Sequence, residues 1–165
     1  MAFSSVENLA ELIADPAYLD ESVEEVFRVM FGVRCVKQSA SPRDIGVEGE
    51  TVTAVVGFGG VLSGACVIRS PCRTAIKMTA KMMGGHFDQV DDLVKDAIGE
   101  ICNMLAGTWK GKFPTLAAHC GLSVPAVITG RDYQLHVQAP RFKLDHQYTF
   151  EDAGFSVVIL CDGLQ

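Results

Sequence analysis

Three side chains on one stretch of this sequence could do chemistry together: Asp96, Glu100 and Asn103. In a helix, where each residue advances about 100°, that spacing stacks them one turn apart on a single side. The stretch predicts such a helix. Val90, Leu93, Val94, Ala97, Ile98, Ile101, Met104 and Leu105 recur at the i, i+3, i+4 intervals of a core-facing stripe. The three polar groups and Gly107 fall in a narrow arc on the opposite side. That row offers a carboxylate and a carboxamide one turn apart, with a glycine where a partner could approach closely. Gly99 and Gly107 flank the row. Glycine inside a helix costs about 1 kcal/mol against alanine, so two beside a polar stripe predict close approach by another backbone. That pair lifts the row above an ordinary solvated helix face, and it makes Asp96, Gly99 and Gly107 candidate binding positions.

The elements that must position this helix can be read on both sides of it. Ser4 or Ser5 could cap a short helix reaching Ala14, with Asp15-Pro16 as a break. A second helix is expected from Asp20 to about Phe31, stopping at Gly32. Val33 to Gln38 alternates as a strand does. Glu50–Gly57 and Val61–Arg69 are β-rich runs joined by Phe58-Gly59-Gly60, which reads as a hairpin turn. Ser70-Pro71 opens a third helix through Met82, ended by Gly84-Gly85, and Asp88 is the expected cap of the long helix. After Gly107 the segment Thr108–Gly121 reads as irregular. Strands are expected over Leu122–Thr129, Tyr133–Ala139 and Tyr148–Leu160, with turns at Gly130-Arg131-Asp132 and Pro140. The order predicts an α+β fold, with helices packed on one face of a largely antiparallel sheet. No linker or low-complexity tract divides residues 1–165, so one domain is expected.

Bulk properties narrow the function classes. A net charge of −6 with no Lys/Arg cluster argues against nucleic acid, whose binding rests on clustered cations. No window approaches 18 uninterrupted apolar residues and no secretory signal is visible, so no membrane insertion is expected. A hydrophobic fraction of 48% and a mean hydropathy of +0.23 are high for a soluble protein, and they suggest burial between subunits as well as within one. The six cysteines are dispersed among apolar neighbours, as reduced, buried thiols of a cytosolic protein would be.

Other constellations fail on physical grounds. Gly57-Phe-Gly-Gly60 lies between two strands, where the helix N-terminus that a phosphate loop needs is missing. His86, His119, His136 and His146 are scattered and no Cys-x-x-Cys occurs, so no metal site is expected. His119-Cys120 has no local support as a nucleophilic pair. Asp20, Glu24 and Phe27 echo the spacing of Asp96, Glu100 and Asn103. There the third position is apolar and belongs to the buried side with Val23, Val26 and Met30, so no chemistry is assigned to it.

Asp96-Ala-Ile-Gly-Glu100-Ile-Cys-Asn103 resembles the D/S-x3-E-x2-N signature of the CheX/CheC family of chemotaxis phosphatases. The resemblance extends to the Gly57–Ile68 hairpin, the Ala75–Gly84 helix, Asn103-Met-Leu-Ala-Gly107 and Val124-Pro125-Ala-Val-Ile-Thr-Gly130, covering roughly residues 45–162. One intact signature helix is similar to the CheX branch. This resemblance implies a cytoplasmic homodimer joined through its sheets, with a phosphorylated, CheY-like response regulator as substrate. It implies no cofactor of its own, the Mg²⁺ being carried by the regulator. It assigns catalytic roles to Glu100 and Asn103: Glu100 pairs with the regulator's lysine, and Asn103 orients the attacking water. Asp96 is left as a rim contact or helix-surface support. The alternative function is a non-catalytic binding module in a signalling or flagellar-motor complex.

Overall fold

The computed structural model describes residues 2–39, 49–136 and 140–165. Two helices, α1 (Ala2–Ile13) and α2 (Pro16–Phe31), lead into a short strand β1 (Val36–Gln38). The long hairpin β2 (Thr51–Gly60) and β3 (Leu62–Pro71) is followed by α3 (Cys72–Met83) and α4 (Asp92–Gly111). A short helix α5 (Pro114–His119), strands β4 (Cys120–Leu122) and β5 (Ala126–Gly130), and the hairpin β6 (Phe142–Phe150) and β7 (Ala153–Leu164) complete the chain. The strands form one antiparallel sheet in the order β1-β6-β7-β3-β2-β4, with β5 also paired to β2. The α+β architecture expected from the sequence is thus found.

All five helices contribute to one apolar cluster on one face of this sheet, through Ile13, Val23, Phe27, Met78, Ile98, Trp109 and Leu116 among others. The strands meet it with alternate residues, Val52, Ala54, Val56 and Phe58 on β2 and Phe155, Val157 and Ile159 on β7, as the two-residue period of a strand requires. α4 is central. It packs on β2 and β3 and touches α2, α3, α5 and β5.

Several boundaries differ from the sequence reading. Asp15-Pro16 starts α2: Asp15 accepts from the Ala17 N–H at 2.9 Å, and Pro16, with no N–H to lose, takes the first helical position. α4 is capped by Asp91, which accepts from the Val94 N–H at 3.0 Å, and not by Asp88. The helix runs past Gly107 to Gly111 because Trp109 is drawn into the core against Phe58 and Phe113. Part of the segment expected to be irregular is therefore helix, and α5 adds another turn. Leu122–Thr129 is split by Ser123-Val124-Pro125, since proline lacks the N–H a ladder needs. The expected strand at Tyr133–Ala139 is absent at 133–136, and 137–139 lie outside the described residues. Tyr148–Leu160 is two strands folded back at Glu151-Asp152, where Glu151 takes φ +53° without a glycine.

Candidate functional site

α4 owes its orientation to what it buries. Val94, Ala97, Ile98, Ile101, Cys102, Leu105, Ala106 and Trp109 face inward, which turns Asp96 and Glu100 fully outward and leaves Asn103 and Gly107 half-buried on the same side. Leu93, expected on the core-facing stripe, instead continues this outward row at 51% exposure. Among the described residues neither Asp96 nor Glu100 forms an ion pair; the nearest pair on the helix joins Lys95 to Asp92 at 3.8 Å. Two carboxylates and a carboxamide are thus held on a rigid helix with no internal charge partner.

Gly99 departs from its expected place. It is buried, and a Cβ there would lie 3.3 Å from Pro125 Cβ and 3.4 Å from Val127 Cγ2. The close approach its sequence position predicted is real, but the approaching atoms belong to this chain's own β5 and the connection before it. Gly99 shapes the site instead of touching a partner. Gly107 is less tightly used, an added Cβ meeting only Leu122 Cδ1 at 3.9 Å.

The Gly99 contact reveals a feature the sequence reading missed. The connection Ser123–Pro125 stands beside the polar row as a rim, with Val124 87% exposed at its crest. Two hydrogen bonds fix it: the Ser123 N–H donates to Gly57 O at 2.9 Å, and the Gly57 N–H donates to Ser123 Oγ at 2.8 Å. The available signal was a bulky apolar residue just before a proline, inside a run otherwise read as strand.

Chemically the row can orient, but it cannot attack. Cys102, beside Asn103 in sequence, is fully buried and donates to Ala54 O and Cys66 O at 3.5 and 3.4 Å. The adjacent Cys102 thiol and burial both push Cys66 up, and burial raises Cys120, so these thiols stay protonated. Asn103 has no proton-transfer chemistry at neutral pH. Nor does the helix line the chain's large cavity, which lies on the other face of the sheet. The row stands on the outward side of the helix, outside that cavity.

Fold and site together define an α+β protein whose central helix presents two carboxylates and a carboxamide on its outward side. Residues 52–147 match the family described as chemotaxis phosphatase CheX, and the chain belongs to that family. It is 35% identical over 86 residues to the CheY-P phosphatase CheX of Thermotoga maritima, an alignment spanning 52% of this chain and 56% of that relative. Among solved structures it is similar to a CheC-like superfamily protein from Shewanella sp. PV-4 (TM-score 0.74, 18% identity, 88% of this chain and 95% of that one). It is also similar to a chain of the CheX–CheY–BeF3–Mg complex from Borrelia burgdorferi (TM-score 0.72, 19% identity, 90% of this chain and 98% of that one). At those identities the likeness is one of fold.

Proposed function

We propose that this protein accelerates hydrolysis of the phospho-aspartate of a CheY-like response regulator, with α4 entering the regulator's active site. The observation that carries this is the pairing of Glu100 and Asn103 on one outward face of a helix. Asn103 would hold a water in line with the phosphorus, accepting from it and donating to it without acting as a base. Charge on the phosphoryl group is left to the regulator's own Mg²⁺ and lysine, so this chain needs no cofactor of its own. Glu100 pairs with that lysine and draws Asn103 into place, and Asp96 contacts the rim of the partner. Family membership and the activity named for the Thermotoga relative support this reading. The same reading takes the protein to be cytoplasmic and homodimeric; light scattering tests the dimer, and a strict monomer would remove it.

The decisive variant is Asn103→Ala. An orienting group of this kind is worth about 2–4 kcal/mol of barrier, on the order of 30- to 1000-fold in rate. Release of phosphate from a phosphorylated cognate regulator should fall by that factor while the melting temperature holds. A variant as fast as wild type would sink the catalytic role of Asn103 and leave the binding-module reading in its place. Glu100→Ala should mainly raise KM, because it removes docking more than water orientation.

A further inference from the structure

Beside the polar row of α4 the chain builds an apolar feature that the roles of Glu100 and Asn103 leave unused. An added Cβ at Gly107 meets Leu122 Cδ1 at 3.9 Å, and one at Gly99 meets Pro125 Cβ at 3.3 Å. The connection from β4 to β5 therefore runs back along α4, from the turn after Asn103 to the turn before it. Between positions 107 and 99 the helix rises about 12 Å, close to the roughly 10 Å that Leu122 to Pro125 spans when extended. Ser123 and Val124 thus pass at the level of Asn103. Counted round the helix from Gly99, Asn103 stands at about 40° and Glu100 at about 100°. The rim borders the carboxamide and leaves the carboxylate open.

Isolated exposed apolar residues are common and carry no meaning by themselves. Val124 differs in how it is held. The Ser123 N–H donates to Gly57 O at 2.9 Å, the Gly57 N–H to Ser123 Oγ at 2.8 Å, and the Ser123 hydroxyl to Val124 O at 3.1 Å. Pro125 restricts the backbone of the residue before it to the extended region, and it is itself seated on Gly99. The valine side chain adds one stiff rotor. At 87% exposure this crest gives the fold almost no burial in return. An apolar group fixed in advance loses little freedom when a partner covers it.

We propose that Val124 is a docking residue for the response regulator, seating against an apolar side chain beside the regulator's phospho-aspartate and setting which regulators α4 accepts. This rests on the function proposed above, because any active site that Asn103 enters must meet the crest at the same level. A regulator with apolar surface there gains by covering Val124. One with a charged group there must strip it of water without a partner, which disfavours it. Selection thus falls to the rim, while Glu100 and Asn103 address the lysine and the phosphoryl group.

The test measures Kd for a CheY-like regulator loaded with beryllium fluoride and Mg²⁺, together with KM and kcat for the phosphorylated regulator. Val124→Ser should raise Kd and KM about tenfold, the loss of one apolar side chain covered at the contact. Its kcat, melting temperature and oligomeric state should match the wild type, and Val124→Ile should keep wild-type values throughout. Val36→Ser, at an exposed valine on β1 across the sheet from β5, should change nothing. Unchanged Kd and KM for Val124→Ser, in a chain that Asn103→Ala inactivates, would overturn the docking role and leave the proposed function standing. So would a fall in kcat at constant KM, an equal loss from Val36→Ser, or a changed oligomeric state, which would give the crest to a second copy. A wild type that binds the loaded regulator through Val124 without speeding hydrolysis would keep the docking role and remove the catalytic one. A wild type that does neither would remove both.

Discussion

α2 and α4 carry the same spacing and opposite fates. On α4, Asp96 and Glu100 point away from the core and, among the described residues, form no ion pair, with Asn103 half-buried on the same side. On α2, Asp20 sits in a built network: the Tyr148 hydroxyl and His146 Nδ1 donate to its Oδ1 at 2.7 and 2.8 Å, and Lys37 Nζ donates to its Oδ2 at 3.0 Å. Phe27, in the place of the carboxamide, is fully buried and stacked on Phe155 with ring centroids 4.8 Å apart. On α2 the first acid, Asp20, ties the helix to β1 and β6 while Glu24 stays exposed; on α4 the first acid, Asp96, is left unspent. Spacing alone cannot separate a site from a scaffold. What separates them is whether the rest of the chain already satisfies the groups.

The largest expected effect comes from trying to erase this difference. Phe27→Asn gives α2 the full acid–acid–amide spacing, but it removes a stacked core ring and buries an unpartnered amide. Loss of a buried Phe costs about 3–5 kcal/mol, and the amide adds to it. Thermal denaturation should show a large drop in melting temperature, with no gain in regulator dephosphorylation over wild type. Any gain would break the comparison. Asn103→Ala comes next and reads out oppositely: the 30- to 1000-fold loss of rate argued above, with the melting curve unmoved.

A smaller pair of substitutions sharpens the contrast at the first acidic position. Asp20→Ala strips the buried Tyr148 hydroxyl of its carboxylate acceptor, a loss of about 1–3 kcal/mol, whereas Asp96→Ala should stay within about 0.5 kcal/mol. Chemical denaturation of both variants measures this. pH supplies an independent check. Burial works to raise the Asp20 carboxyl, but hydrogen bonds from Tyr148, Lys37 and His146 outweigh it and hold its pKa below the ordinary 3.8. A carboxyl depressed on folding contributes stability that is fully present above the unfolded value and is lost as pH falls through the folded one. The melting temperature of the wild type should therefore fall more steeply than that of Asp20→Asn below pH 3.8. The two acid limbs should be equally steep if the network were idle.

How far the sequence could anticipate this follows from where each signal resides. The outward row of α4 was legible because the helix announces its own buried side: the apolar period from Val94 to Leu105 fixes the orientation of Asp96, Glu100 and Asn103 without tertiary information. The failed echo on α2 was legible for the same reason, since Phe27 falls in that helix's apolar stripe. The end of α4 was not. Gly107 looks like a stop, and only the packing of Trp109 against Phe58 and Phe113 carries the helix past it. Gly99 was half legible. A glycine inside a helix signals a near neighbour, but nothing local says that the neighbour is Pro125. The β6–β7 turn was hidden because Glu151 adopts a left-handed conformation that sequence reserves for glycine or asparagine. The network at Asp20 joins residues from α2, β1 and β6, and no local pattern could have assembled it.

The smallest expected effect tests the one glycine that still belongs to the outward row. Gly107 lies one turn beyond Asn103, and a Cβ there meets only Leu122 Cδ1 at 3.9 Å, an ordinary contact. Gly107→Ala should therefore recover helix propensity and raise stability by up to about 1 kcal/mol, seen as a higher denaturation midpoint. If a regulator's backbone seats against α4 at this point, the same methyl group intrudes between the two proteins, and KM for the phosphorylated regulator should rise while kcat is kept. Greater stability with a raised KM would mark Gly107 as retained for the partner and not for the fold, which no residue on the outer side of α2 should match. An unchanged KM would end the row at Asn103 and confine the docking face to the turns between Leu93 and that residue.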